Sequence, residues 1–111
     1  MEKLPTAFFC NCDRSAFRLM EAFQGKGIKV PEDISVAGFD NYLPDGLVNE
    51  GITTYAIDLD LMVSRAVSRI FKKVENPSSR SGIFVAGGRL ILRDSVKRIG
   101  EEVPMAERLR L

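Results

Sequence analysis

The chain has 111 residues, enough for one domain and short for two. Sixteen basic residues stand against 15 acidic ones, a net charge of +1, which excludes the excess of Lys and Arg that a phosphate-tracking surface needs. The hydrophobic share is 45% and the charged share 28%, the balance of an ordinary globular chain, with no apolar run near the roughly 20 residues of a membrane span.

Thr6 to Cys10 is a short, continuous apolar run, which predicts a strand buried on both faces. Asp13 then stands where an N-cap belongs, and a helix follows to about Gln24. Its apolar face comprises Ala16, Phe17, Leu19, Met20 and Phe23, and Gly25 and Gly27 are expected to end it in left-handed conformations. Pro31-Glu32-Asp33 turns the chain into a second buried strand, Ile34 to Phe39, closed by Asp40. Strand, helix and strand at this spacing form one βαβ crossover, so the two strands are expected to be parallel. After a polar loop, Ile52 to Ile57 reads as a third strand. Asp58 caps a second helix from about Leu59 to Val74, with Met62, Val63, Ala66, Val67, Ile70 and Phe71 at helical spacing and Lys72 and Lys73 complementing its dipole. Asn76-Pro77-Ser78-Ser79 ends that helix. Ile83–Ala86 and Arg89–Arg93 read as two more strands around Gly87-Gly88, and residues 101–111 read as a charged, frayed tail.

Catalytic chemistry finds little support. The sequence has no His, so neither an imidazole base nor a Ser-His-Asp or Cys-His arrangement can be assembled. Cys10 and Cys12 lack metal-ligand company and suit a same-strand disulfide poorly, so they read as reduced thiols; neither metal nor cofactor is expected. Gly87-Gly88 does not lead into a helix, which argues against a phosphate loop. Asp58 and Asp60 are sufficiently explained as a cap and a first-turn acid.

Five stretches resemble one family. Pro5 to Cys10 with Asp13 and Ala16, the block from Gly27 to Asn41, Ile52-Thr53-Thr54, the Met62 and Ala66 helix pattern, and Leu90 to Ser95 occur in the order and spacing of the last third of LacI/GalR transcription regulators. The specific block is Val30 to Asp40, VPEDISVAGFD. The resemblance implies a partial α/β domain with a parallel sheet in a three-layer, periplasmic-binding-protein type I-like arrangement. Residues 1–100 would be the C-terminal portion of a domain that senses a small-molecule effector, a sugar, a nucleobase or similar. The DNA-binding helix-turn-helix domain of such a repressor would lie outside this segment. It further implies a cytoplasmic protein that forms a homodimer or higher homo-oligomer and reaches DNA only through that other domain. The alternative is a fragment of a related solute-binding protein of a transport system, for which the start at Met1 lacks an export signal.

The resemblance also nominates residues. Asp40, at the carboxyl end of a strand, corresponds to an aspartate that accepts hydrogen bonds from the effector; a turn-forming aspartate is the plainer alternative. Cys12 stands where the family has an asparagine facing the effector, and a small packed thiol would serve equally there. Asp13 is expected to order the turn into the helix more than to touch ligand. Ile57 stands where several members have a polar residue, often Gln, so two polar contacts are lost and the effector is expected to be less sugar-like. Leu59 could add an apolar wall, though a packed helix start explains it better. For the two-fold contact the resemblance points to Phe17, Met20 and Phe23 on the first helix and to Leu43, Leu47 and Val48 in the loop.

Overall fold

In the computed structural model, which describes residues 3–43 and 51–100, the elements run β1 (Ala7–Phe9), α1 (Asp13–Gly25), β2 (Ser35–Ala37), β3 (Thr54–Ile57), α2 (Leu59–Glu75) and β4 (Gly88–Ile91). β1 and β2 are parallel, with Ala7 beside Ser35 and Phe9 beside Ala37, as the βαβ spacing predicts. Single parallel bridges from Ala37 to Thr53 and from Asp40 to Ala56 bring β3 alongside the exit of β2. β3 pairs antiparallel with β4, Thr54 opposite Ile91 and Ile57 opposite Gly88. The expected parallel pairing therefore resides in β1, β2 and the β3 bridges, while β4 folds back along β3.

A small core explains this arrangement. Ala16 and Phe23 on α1, Ile34 and Val36 around β2, and Ile52 before β3 are buried together, with Phe17, Leu19, Met20, Ile28, Val30 and Leu43 packed around them. Burying a side chain such as Ile34 or Val36 stabilises by about 1.5–3 kcal/mol, so this cluster fixes α1 on one face of the β1–β2 pair. The α1 stripe at 16, 20 and 23 is the helical spacing that directs side chains to one face. The helix ends where Gly27 takes φ 73° and the amides of Lys26 and Ile28 both donate to the Phe23 carbonyl at 3.0 Å. Only Gly27 of the two expected glycines is left-handed; Gly25 completes the helix.

Four expectations are corrected. β1 is not buried on both faces: Phe8 is 37% and Phe9 72% exposed, because β2 is its sole strand neighbour among the described residues. Asp13 is not the cap of α1; Cys12 takes that position, without a side-chain cap bond, and Asp13 is the first helical residue. Its amide is drawn to the Phe39 carbonyl at 2.9 Å, which starts the helix one residue before the cap rule places it. Residues 83–86 form no strand, and Ile83 and Val85 are largely exposed with no ladder to join. Gly88 belongs to β4 instead of to the connection before it.

The cap of α2 holds as predicted. The Asp58 side chain accepts from the Leu61 amide at 3.0 Å, and Asn76 closes the far end. The stripe through Met62, Val63, Val67, Ile70 and Phe71 forms as predicted too, yet none of these side chains is buried, with Phe71 65% exposed. The segment after α2 returns along it: Arg65 lies over the Phe84 ring at 4.8 Å and Lys73 Nζ donates to the Ser79 carbonyl at 2.9 Å. Among the described residues no helix is long and apolar enough to cross a membrane. Leu47 and Val48 of the expected two-fold contact, and the tail at 101–111, lie outside the described residues.

Candidate functional site

The carboxyl ends of β1 and β2 lie side by side, because Cys10 N donates to the Ala37 carbonyl at 2.8 Å and Asp13 N to the Phe39 carbonyl at 2.9 Å. That puts Cys12, at the start of α1, and Asp40, past β2, on the same rim, the edge where open α/β sheets receive ligands. The two are close enough for the Asp40 charge to act on the Cys12 thiol.

Asp40 and Asn41 occupy a sharp bend with φ of 89° and 57°. Left-handed backbone is costly for most L-residues and least so for Asp and Asn, whose short polar side chains bond locally. Here both do. Tyr42 N donates to Asp40 Oδ1 at 2.9 Å, and Asn41 N donates to Thr54 Oγ1 at 3.3 Å. The Asp40 amide is itself bound to the Tyr55 carbonyl at 2.9 Å, so the bend is pinned to β3. Asp40 is therefore a turn-forming aspartate. A carboxylate has about four acceptor sites, so one bond to Tyr42 N leaves capacity for a ligand.

Behind the bend lies a tight packing of β2 on α1. Asp13 is wholly buried against Gly38, and a Cβ at Gly38 would run into the Asp13 carboxylate and sit 3.2 Å from its Cα. Its side chain is therefore shielded from solvent. Gly88 has a comparable role on β4, where a Cβ would strike the Ala56 carbonyl and the Tyr55 ring; that ring stacks on Phe39 at 5.8 Å.

Beside the bend is an open cavity of about 670 Å³ whose walls include Asn41, Ala56, Ile57, Leu59, Asp60 and Arg89. The expected Ile57 and the apolar Leu59 both line it, whereas Cys12 and Asp40 are not among its walls. Cys12 and Asp40 thus meet at the strand exits, and Asn41, next in sequence to Asp40, is the residue of the bend that borders the cavity.

The thiols differ. Hydrogen bonding holds the Cys12 pKa below the usual thiol value, chiefly the contact between its Sγ and Ser15 Oγ at 3.4 Å together with the Ser15 backbone. Burial, and then the neighbouring Cys12, push Cys10 up. Among the described residues no three His, Cys, Asp or Glu side chains gather as a metal site would require.

Of the expected two-fold residues, Phe23 is in the core, 8% exposed and with its ring centroid 5.7 Å from that of Phe8. Its burial removes it from any surface; Phe17, Met20 and Leu43 are half-buried against the core and keep some outward area.

Two residues that the pattern did not single out complete the site. Asn41 is the cavity wall next to Asp40, and Arg93, past β4, donates to its Oδ1 from Nη2 at 2.8 Å. Asn41 was within reach of sequence reasoning, being the last residue of the VPEDISVAGFD-N block. Arg93 stands 52 positions away, and only the fold brings the two together.

These features, a βαβ unit with a polar bend at the strand exits and a cavity beside it, define an α/β ligand-binding domain. Residues 1–96 match the model of the periplasmic binding protein-like domain. The repressor PurR of Histophilus somni (strain 129Pt) is 34% identical over 98 residues, covering 88% of this chain and 29% of that protein. A LacI-family transcription repressor of Corynebacterium glutamicum superimposes with a TM-score of 0.69 at 32% identity, over 86% of this chain and 37% of that one. A LacI-type regulator of Bacillus cereus subsp. cytotoxis shares the fold with a TM-score of 0.80 at 23% identity, over 90% and 36% of the two chains. The chain belongs to the periplasmic binding protein-like domain family and, within it, is a segment of the effector-binding domain of LacI/GalR-type regulators. It spans about 29% of the length of the curated relatives it matches.

Proposed function

We propose that this segment forms the part of a LacI/GalR-type repressor that holds the effector, with the ligand seated at the strand-exit rim against Asp40. The observation that carries this reading is the Asp40–Asn41 bend. Left-handed backbone at two successive residues is sustained by bonds to Thr54, Tyr55 and Tyr42, and it presents a fixed carboxylate at the ligand edge of the sheet. Such a carboxylate suits a donor-bearing small molecule, through hydroxyls or ring N–H groups. Ile57 and Leu59 on the cavity wall favour an effector with one apolar edge, a nucleobase or sugar derivative more than a bare sugar. Cys12 contributes a partly exposed thiol at the strand exits.

In this reading a second subdomain closes on the ligand, and the difference in affinity between open and closed forms sets the orientation of a helix-turn-helix domain elsewhere in the protein. The exposed apolar stripe of α2 fits a protein in which further chain covers that face. We place the protein in the cytoplasm, as an oligomer whose interface includes Phe17, Met20, Leu47 and Val48. A solute-binding protein of a transport system has the same fold, but the matched relatives are transcription repressors.

A thermal-shift screen of the full-length protein against sugars, nucleobases and sugar acids identifies the effector. Asp40→Ala is then expected to weaken its binding by about 1.5–3 kcal/mol, roughly ten- to a hundredfold, with the α1–β2 core intact. Unchanged affinity by calorimetry removes Asp40 from the site. Sedimentation at micromolar concentration checks the interface: a monomer that Phe17→Asp leaves unchanged overturns it.

A further inference from the structure

A chain of hydrogen bonds closes around the Asp40–Asn41 bend. Asn41 N donates to Thr54 Oγ1. Thr54 is fully buried, and its neighbour Thr53 is 3% exposed. Thr53 Oγ1 accepts from Arg93 N at 2.9 Å and donates to the Arg93 carbonyl at 3.1 Å, which locks the Arg93 backbone to the start of β3. The Arg93 guanidinium then spreads its fork: Nη1 donates to the Ile52 carbonyl at 2.8 Å and Nη2 to Asn41 Oδ1 at 2.8 Å. One rigid, planar group therefore spans three pieces of chain, the segment entering β3, the segment leaving β4 and the bend past β2. A lysine, a point charge on a flexible stem, does not reproduce that fork.

The geometry points to Arg93 as the positioning residue of the effector site: it holds Asn41, and through Asn41 the Asp40 carboxylate, in register with the β3–β4 pair. The left-handed bend would relax toward ordinary backbone without restraint, because φ of 89° and 57° is sustained only where the surroundings over-determine it. Asn41 also lines the cavity bounded by Ile57, Leu59 and Arg89, so Arg93 ties a wall of that cavity to the bend. A shift of the β3–β4 pair, which leads into and returns from α2, is thereby transmitted to the Asp40 carboxylate, and a ligand on Asp40 in turn biases the strand pair. This inference rests on the effector reading of Asp40, but its test does not.

Amide hydrogen exchange of the full-length protein without ligand reads the bend directly, at Asn41 N (bound to Thr54) and Tyr42 N (bound to Asp40). Arg93→Met keeps the aliphatic stem and removes the fork. It is expected to speed exchange at both amides by about tenfold or more, while amides of α1 stay unchanged. Arg93→Lys is expected to recover only part of the protection. Asn41→Asp tolerates the left-handed backbone and keeps an oxygen facing Arg93, so protection holds or rises; in the Arg93→Met background the same change restores nothing. Unchanged exchange at Asn41 and Tyr42 in Arg93→Met overturns the proposal, as does a loss of protection spread evenly over α1 and β2. Should Arg93→Met fail to fold, Arg93→Lys and Asn41→Asp decide it: wild-type exchange in the lysine variant refutes the role of the fork. Asp40→Ala binding data stand apart. If affinity is unmoved there but exchange responds here, the effector reading fails and the Arg93 assignment survives.

Discussion

Removing one hydroxyl, at Ser95, is expected to destabilise the domain more than any exposed polar substitution. Ser95 is 1% exposed and stitches three segments together. Its Oγ accepts from Thr53 N at 2.8 Å and donates to the Val36 carbonyl at 2.5 Å, while its own backbone pairs with Gly51 and Val36. In Ser95→Ala the backbone bonds remain, but the Thr53 amide and the Val36 carbonyl each lose a partner. Both belong to buried residues. A buried group left without its bond costs about 1–3 kcal/mol, so two give roughly 2–4 kcal/mol once partial relaxation is allowed. Against a typical domain stability of about 5–15 kcal/mol this is a large fraction. Urea unfolding of the full-length protein measures it, as a fall in midpoint at constant slope. Ser64→Ala is the control: its hydroxyl donates to the Leu61 carbonyl on an exposed face and should matter by less than about 0.5 kcal/mol. A loss at Ser95 no larger than the control would refute the argument that this hydroxyl satisfies buried backbone.

Gly38→Ala should cost about 1–3 kcal/mol, because its Cβ meets the fully buried Asp13 carboxylate and lies 3.2 Å from the Asp13 Cα, so the start of α1 must shift; a melting temperature within error of wild type would contradict this. The thiols should also separate by reactivity. The Cys12 pKa is lowered, chiefly by Ser15, and the Cys10 pKa is raised, chiefly by burial. Thiolate is the reactive form, so iodoacetamide should modify Cys12 first, with an inflection at lower pH than for Cys10. Ser15→Ala should move the Cys12 inflection upward, and peptide mapping that finds Cys10 modified first would reverse the assignment.

The crossover and both helices were legible in the sequence because they rest on local physics. Apolar residues at 16, 20 and 23 mark a helix face whatever lies beneath it, and Asp58 followed by a helical pattern announces a cap. The VPEDISVAGFD block marked the strand exit and Asp40. Three things depended on the tertiary structure. The first is exposure: the apolar content of β1 and of α2 predicts burial, but burial needs enough covering neighbours, and the described residues supply β1 with one strand and leave no residue of α2 buried. The second is the start of α1, where the pull of the Phe39 carbonyl on the Asp13 amide and the space at Gly38 outweighed the capping preference of an aspartate. The third is the support of the site. Asn41, Thr53, Arg93 and Ser95 meet through bonds that span 40 to 52 positions, and periodicity, which reads neighbours within a turn or two, carries no record of partners that far apart.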